Sequence, residues 1–204
     1  MDKRCLLILI LCSLSLTAFG QATDTIPNKD QTEIGISEDD FPDDALKLLG
    51  DISNVEKYKY YKKDSLGESV YEAKFKLKGE QYAVLFDSVG SLNRVEVTIG
   101  QKEITPDESL SAIKEYFDDS FTRFKLLKVK KQFLPKGDGL EVNTVIEAFT
   151  EDKDMSFCTV RYMVQVSGDV GNGTAKLYEV TFDKDGQYLK MESAAIQNMD
   201  NIIF

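Results

Sequence analysis

The apolar residues of this chain follow two rhythms in turn. Ala45, Leu48, Leu49 and Ile52 recur at helical spacing, as do Leu110, Ile113 and Phe117. Elsewhere the period falls to two. Tyr71, Ala73, Phe75 and Leu77 alternate with Glu72, Lys74 and Lys76, and Cys158, Val160, Tyr162, Val164 and Val166 again share one face. This is the pattern of an antiparallel sheet with one dry side. It predicts a helix from about residue 43, weakened at Gly50, then strands at 55–62, 69–77, 81–86 and 92–99. A second helix opens near residue 106, followed by strands at 124–132, 157–167, 176–182 and 188–193. Val142, Val145, Ile146 and Phe149 are spaced for a short helix between them.

Whole phrases return as well. YAVLFDSVGSLNRVE at 82–96 comes back as YEVTFDKDGQYLKME at 178–192, and Pro42-Asp43-Asp44-Ala45-Leu46 comes back as Pro106-Asp107-Glu108-Ser109-Leu110. The offsets are 96 and 64, so the second copy holds 32 extra residues between helix and final hairpin. Each proline suits a first helical position, where a missing N–H costs nothing, and Thr105 with Glu108 has the form of a capping box. The predicted fold class is α+β: two tandem units, each a helix packed on a mostly four-stranded antiparallel sheet, at 41–100 and 101–204. Joined edge to edge, the two sheets would hide strand edges that invite aggregation.

The first residues read differently. Lys3 and Arg4 precede an apolar run over 6–16, and small residues close it at Ala18 and Gly20. That order is a secretory signal over 1–20, with cleavage after Gly20 or after Ala22. Cys12 follows Leu11 rather than a small residue, which argues against a lipoprotein. The apolar run is shorter than the roughly 20 residues a spanning helix needs, and no second such run follows. Residues 21–40 are polar, acidic and aperiodic, a leader expected to be disordered, with order beginning near Phe41. The expected destination is the periplasm or the medium.

With 25 basic and 35 acidic side chains the chain carries a formal charge of −10, which disfavours nucleic acid. It has no histidine. That removes the commonest general base, the commonest metal ligand and every Ser-His or Cys-His nucleophile arrangement. Cys158 alone would survive signal cleavage, and its apolar strand setting suits an inert thiol. Asp87 and Asp183 recur as turn residues, each followed by glycine three positions on. Gly168-Asp169-Val170-Gly171-Asn172-Gly173 lacks the Gly-Lys-Ser/Thr of a phosphate loop and reads as a mobile hairpin connection. No cofactor and no metal is expected.

A Pro-begun helix, strands, a Tyr-x-Val-x-Phe-Asp-x-x-Gly hairpin and a second copy, all behind a signal peptide, resemble the PepSY-like exported proteins, which are similar to tandem-repeat beta-lactamase-inhibitor proteins. The resemblance covers 41–99 and, less cleanly, 104–196. It implies an envelope or secreted binding module, sometimes a protein inhibitor, with no catalytic residues to carry over.

One stretch stands out in an acidic chain: Lys57-Tyr58-Lys59-Tyr60-Tyr61-Lys62-Lys63, with Lys128-Val129-Lys130-Lys131 at the corresponding strand of the second copy. Lys57, Tyr58, Lys59, Tyr60 and Lys128 are the candidate protein-binding residues, because rigid tyrosine rings beside positive charge can grip an acidic partner. The competing reading is an edge strand guarded by lysines. The expected function is a non-catalytic, exported binding protein, an inhibitor or modulator of another envelope or secreted protein. The alternative is a small-ligand carrier of the envelope, which a large apolar cavity would favour.

Overall fold

The computed structural model describes residues 28–29, 32–65 and 68–194. The strands are β1 (Asn28–Lys29), β2 (Thr32–Ile36), β3 (Lys59–Ser65), β4 (Glu68–Leu77), β5 (Glu80–Phe86), β6 (Leu92–Ile99), β7 (Arg123–Pro135), β8 (Cys158–Asp169), β9 (Lys176–Asp183) and β10 (Tyr188–Ala194). The helices are α1 (Asp43–Gly50), α2 (Asp107–Ser120) and α3 (Val142–Thr150). All the strands belong to one sheet. From β2 to β10 they lie side by side in chain order, each pair antiparallel, and β1 adds two residues parallel to β10.

The expectation of an α+β fold with two units, each helix on its own four-stranded sheet, is therefore corrected. β6 pairs with β7 from Val95↔Phe133 to Ile99↔Val129, and the halves run together as one mostly-sheet body. Left apart, β6 and β7 would each expose a row of unpaired N–H and C=O groups. A second correction concerns the leader. Order begins before Phe41, because β2 pairs with β3 from Thr32↔Asp64 to Ile36↔Tyr60. The expected signal peptide over 1–20 lies outside the described residues.

β1 and β2 also reveal the curvature of the sheet. Lys29 lies beside β10 at one end of the strand order and Thr32 beside β3 at the other. Three residues of chain reach no further than about 11 Å. The two ends of the sheet must then lie that close, and the sheet curls into an almost closed shell.

The three helices cover the outer, apolar face. α1 buries Ala45 and Leu49 there, α2 buries Ile113 and Phe117, and α3 buries Val142, Val145 and Ile146. They meet Val84, Phe86, Val95, Val97, Val164 and Val180, none measurably exposed. Burying each such side chain contributes about 1.5–3 kcal/mol. Both Pro42 and Pro106 stand one place earlier than expected, as helix N-caps, and neither helix has a side-chain cap. Thr105 is occupied otherwise: its N–H donates to Tyr162 Oη (3.2 Å) and its carbonyl accepts from the same hydroxyl (2.9 Å).

The repeated hairpins are built and docked alike. Asp87 Oδ1 accepts the N–H groups of Val89 and Ser91, and Asp183 Oδ1 accepts those of Asp185 and Gln187. Phe86 faces Leu92 past an extra residue, as Phe182 faces Tyr188. Gly90 (φ +88°) lies against the backbone of Ala45, and Gly186 (φ +81°) against that of Ser109, the matching residue of the second helix. An added Cβ would come within 2.8 Å of Ala45 N in the first case and 2.5 Å of Ser109 O in the second. Gly90→Ala and Gly186→Ala are each expected to cost about 2 kcal/mol or more, since strain at positive φ adds to a backbone clash. Urea unfolding midpoints of the two variants check this.

Candidate functional site: a charged cavity inside the curled sheet

The inner face of the sheet is covered by no helix among the described residues. It encloses a cavity of about 530 Å³ that extends from Glu33 on β2 to Lys190 and Glu192 on β10. Ten lysine or arginine side chains and five glutamates line it. In a chain of net charge −10 this concentrates positive charge on one surface. Strand alternation is the cause: the residues between the core positions of β4, β6 and β7 are Glu72 and Lys74, Arg94 and Glu96, and Lys128, Lys130 and Gln132, and all must point inward.

Two carboxylates anchor the arrangement. Glu96 is 3% exposed and sits in the middle of the sheet. Its Oε1 accepts from Arg94 Nε (2.7 Å) and Gln132 Nε2 (2.8 Å), and its Oε2 from Lys130 Nζ (2.7 Å). Burial pushes the Glu96 carboxyl up, but Lys130 and Arg94 outweigh it and hold it well below the ordinary glutamate range. Lys130 is correspondingly raised: burial lowers it, while Glu96 and Glu72 more than reverse that.

Glu72, fully buried, is held more loosely. Lys63 Nζ lies 2.8 Å and Lys74 Nζ 3.2 Å from its Oε2, yet neither oxygen receives a well-directed hydrogen bond. Burial opposes its ionisation, and Lys63 and Lys74 overcome that, leaving its pKa lowered. The same two ammonium groups also hold Glu33 of β2, at 3.3 and 2.6 Å. A carboxyl depressed in the folded state contributes stability above its unfolded pKa of about 4.3, and that contribution is lost as pH falls toward the folded value. At neutral pH Glu72 and Glu96 are therefore fixed charges, not proton donors or acceptors.

The candidate residues separate onto two faces. Lys57 and Lys59 are exposed at the cavity, and Lys128 lines it half-buried. Tyr58 and Tyr60 point the other way, into the helix-covered core, so the exposed-anchor placement on the sheet is corrected for both. Tyr58 stacks on Tyr60 and meets Phe75 edge-on, and its hydroxyl donates to the Leu49 carbonyl at 3.0 Å. Tyr60 packs on Phe41, and burial, with Glu38 beside it, pushes its hydroxyl up to about 12. Adjacent residues of a strand face opposite sides, so lysines and tyrosines that alternate cannot form one surface.

The tyrosine of this stretch that does face the cavity is Tyr61, with Lys74 Nζ 4.2 Å from its ring centroid. Glu72 and Glu96, which organise the site, escaped the sequence reading, because a strand's polar face ordinarily means solvent, and Lys130 stood there only as part of the second basic stretch. Edge protection does not explain these lysines either, since β7 lies between β6 and β8, and β3 is covered by β2. The Gly-rich connection at 168–173, expected to be mobile, is tied down: buried Asp169 accepts the N–H groups of Gly171, Asn172 and Gly173.

Among the described residues no three Cys, Asp or Glu side chains are placed to hold a metal, and no helix is long and apolar enough to cross a membrane. No protein-family model matches the chain, and no curated protein does, so the PepSY-like resemblance stays a likeness of motifs. The chain is similar to a DUF2874 family protein from Bacteroides ovatus, 15% identical, over 81% of this chain and 95% of that one, with a TM-score of 0.49. A DUF2874 family protein from Bacteroides uniformis is 15% identical over 75% and 89%, also at 0.49. A BLIP-like protein from Bacteroides fragilis is 17% identical over 80% and 93%, at 0.45. At these levels the likeness bears on neither partner nor activity.

Lys130→Met leaves the Glu96 carboxylate buried with one cation fewer and is expected to cost about 3 kcal/mol. The exposed Lys47→Met on α1 should leave stability nearly unchanged. Chemical denaturation of both variants measures the difference.

Proposed function

We propose that this protein is an exported, non-catalytic binding protein whose inner sheet face receives an acidic surface of another envelope or secreted protein, as an inhibitor or modulator does. The observation that carries this reading is the concentration of lysine and arginine on one concave face of an otherwise acidic chain. Such asymmetry steers a partner of opposite sign and repels others. Catalysis is a poor fit to the same face. General acids and bases need pKa values near the working pH, whereas Glu72 and Glu96 are driven away from it by the cations beside them.

A small-ligand carrier is the second reading, and one observation favours it. The cavity of about 530 Å³ falls in the range of 300–1,000 Å³ typical of small-molecule sites. Its lining mixes lysine, arginine and glutamate with apolar residues such as Val70, Leu85, Leu134 and Met163, rather than being the apolar surface such a carrier was expected to show, so its cargo would be an anion.

Lys57 and Lys59 at the cavity mouth test the first reading. The mature chain, used as bait on its native envelope fraction with cross-linking, is expected to capture a partner whose cross-links map to β3 and β7. The charge reversal Lys57→Glu/Lys59→Glu should lose that partner. Undiminished capture by the double variant, or cross-links confined to the helices, would contradict it.

A further inference from the structure

Five of the ten cations that line the cavity hold a carboxylate supplied by the chain. Lys63 and Lys74 hold Glu33 and Glu72, Lys130 and Arg94 hold Glu96, and Lys190 holds Glu192. Lys128 does not. It lines the same cavity, half-buried, two residues from Lys130 on β7, and makes no ion pair or hydrogen bond with any described residue. Gln165, its partner on β8, donates its amide to Glu179 instead.

A specific device puts Lys128 there. The register of β7 against β8 slips between Leu126 and Lys128, with Leu126 opposite Val166 and Lys128 opposite Gln165, so Leu127 is an extra residue. Without it, Lys128 would follow the phase of Phe124 and Leu126 and point into the helix-covered core. With it, Lys128 turns into the cavity. Bulges of this kind re-aim side chains and recur beside functional sites.

The fold gains nothing from the charge so placed. Burial, then the like charges of Lys130 and Lys74, lower the Lys128 pKa, so its ionised form is disfavoured in the folded state. A lysine kept in a central strand against its own stability, and aimed by a bulge, marks a position selected for something outside the fold.

We propose that Lys128 is the anchor of an anion subsite that takes a carboxylate from outside the chain, completing the lysine–carboxylate pairing that Glu33 and Glu96 show in the same cavity. The carboxylate could belong to an acidic side chain of a protein partner or to a free polycarboxylate; the ammonium recognises the same group in both. This deepens the proposed function and rests on the inner face being the binding surface.

Isothermal titration of the mature chain at low ionic strength, with hexaglutamate in one arm and glutarate in the other, tests it. Saturable binding in either arm, weakened about tenfold or more by Lys128→Gln, kept by Lys128→Arg and unaffected by Lys47→Gln, is the expected result. Stronger binding of hexaglutamate assigns the subsite to a protein side chain, and stronger binding of glutarate to a free small anion. Lys128→Gln should also melt no lower than the wild type, which separates lost recognition from lost folding. Wild-type affinity in Lys128→Gln, or no binding in either arm, would overturn the subsite. Undiminished envelope capture by Lys128→Gln alongside loss in Lys57→Glu/Lys59→Glu would remove the subsite and leave the binding face in place.

Discussion

Glu72 and Glu96, the two most deeply buried carboxylates of the curled sheet, have to be matched by cations, and the rest of the architecture answers to that requirement. A sheet that bends its two ends to within about 11 Å of each other places one face around a confined volume. Glu72 and Glu96 lie on that face with almost no solvent, and a buried charge without a partner costs several kcal/mol. Lys63, Lys74, Lys130 and Arg94, from four different strands, meet the demand. The pairing in turn fixes strand register, since a one-residue slip would send each lysine to the opposite face and into the apolar core.

The two faces divide the work. The outer face is apolar, is roofed by three helices among the described residues, and supplies the stability. Its repeated hairpins dock on α1 and α2 through the same glycine contact, which fits one segment having been used twice within a single sheet. The inner face contributes little net stability, because buried ion pairs roughly offset their own desolvation. What it offers is a rigid pattern of charge, and rigid charge is suited to recognition rather than to proton transfer.

Much of this was legible in the chain. The 92–99 strand, the two hairpins, the three helices and the alternation of wet and dry positions follow from period and turn chemistry. Three features did not. Pairing of β6 with β7 is non-local, and alternation says which side of a strand is dry but not which strand lies next to it. β2 was hidden because Thr32–Ile36 is short and polar and gains its order from β3. The polar side of β4 and β6 reads as solvent-facing until the curl of the sheet is known. The misplacement of Tyr58 and Tyr60 is another matter: Lys57-Tyr58-Lys59-Tyr60 already alternates, and period two alone assigns lysines and tyrosines to opposite faces. The bulge at Leu127, which decides where Lys128 points, does leave a mark: the apolar positions change phase from Phe124 and Leu126 to Val129 and Phe133.

The claim on which the account turns is that the inner face is a set of permanent charges. Carbon-13 NMR of the glutamate side-chain carboxyl groups, followed through an acid titration of the protein, measures it directly. Glu72 and Glu96 should stay ionised well below the ordinary glutamate midpoint of about 4.3. A midpoint at or above that value for either one would show an inner face that titrates like any partly buried acid, and the account of a fixed charged surface would fail.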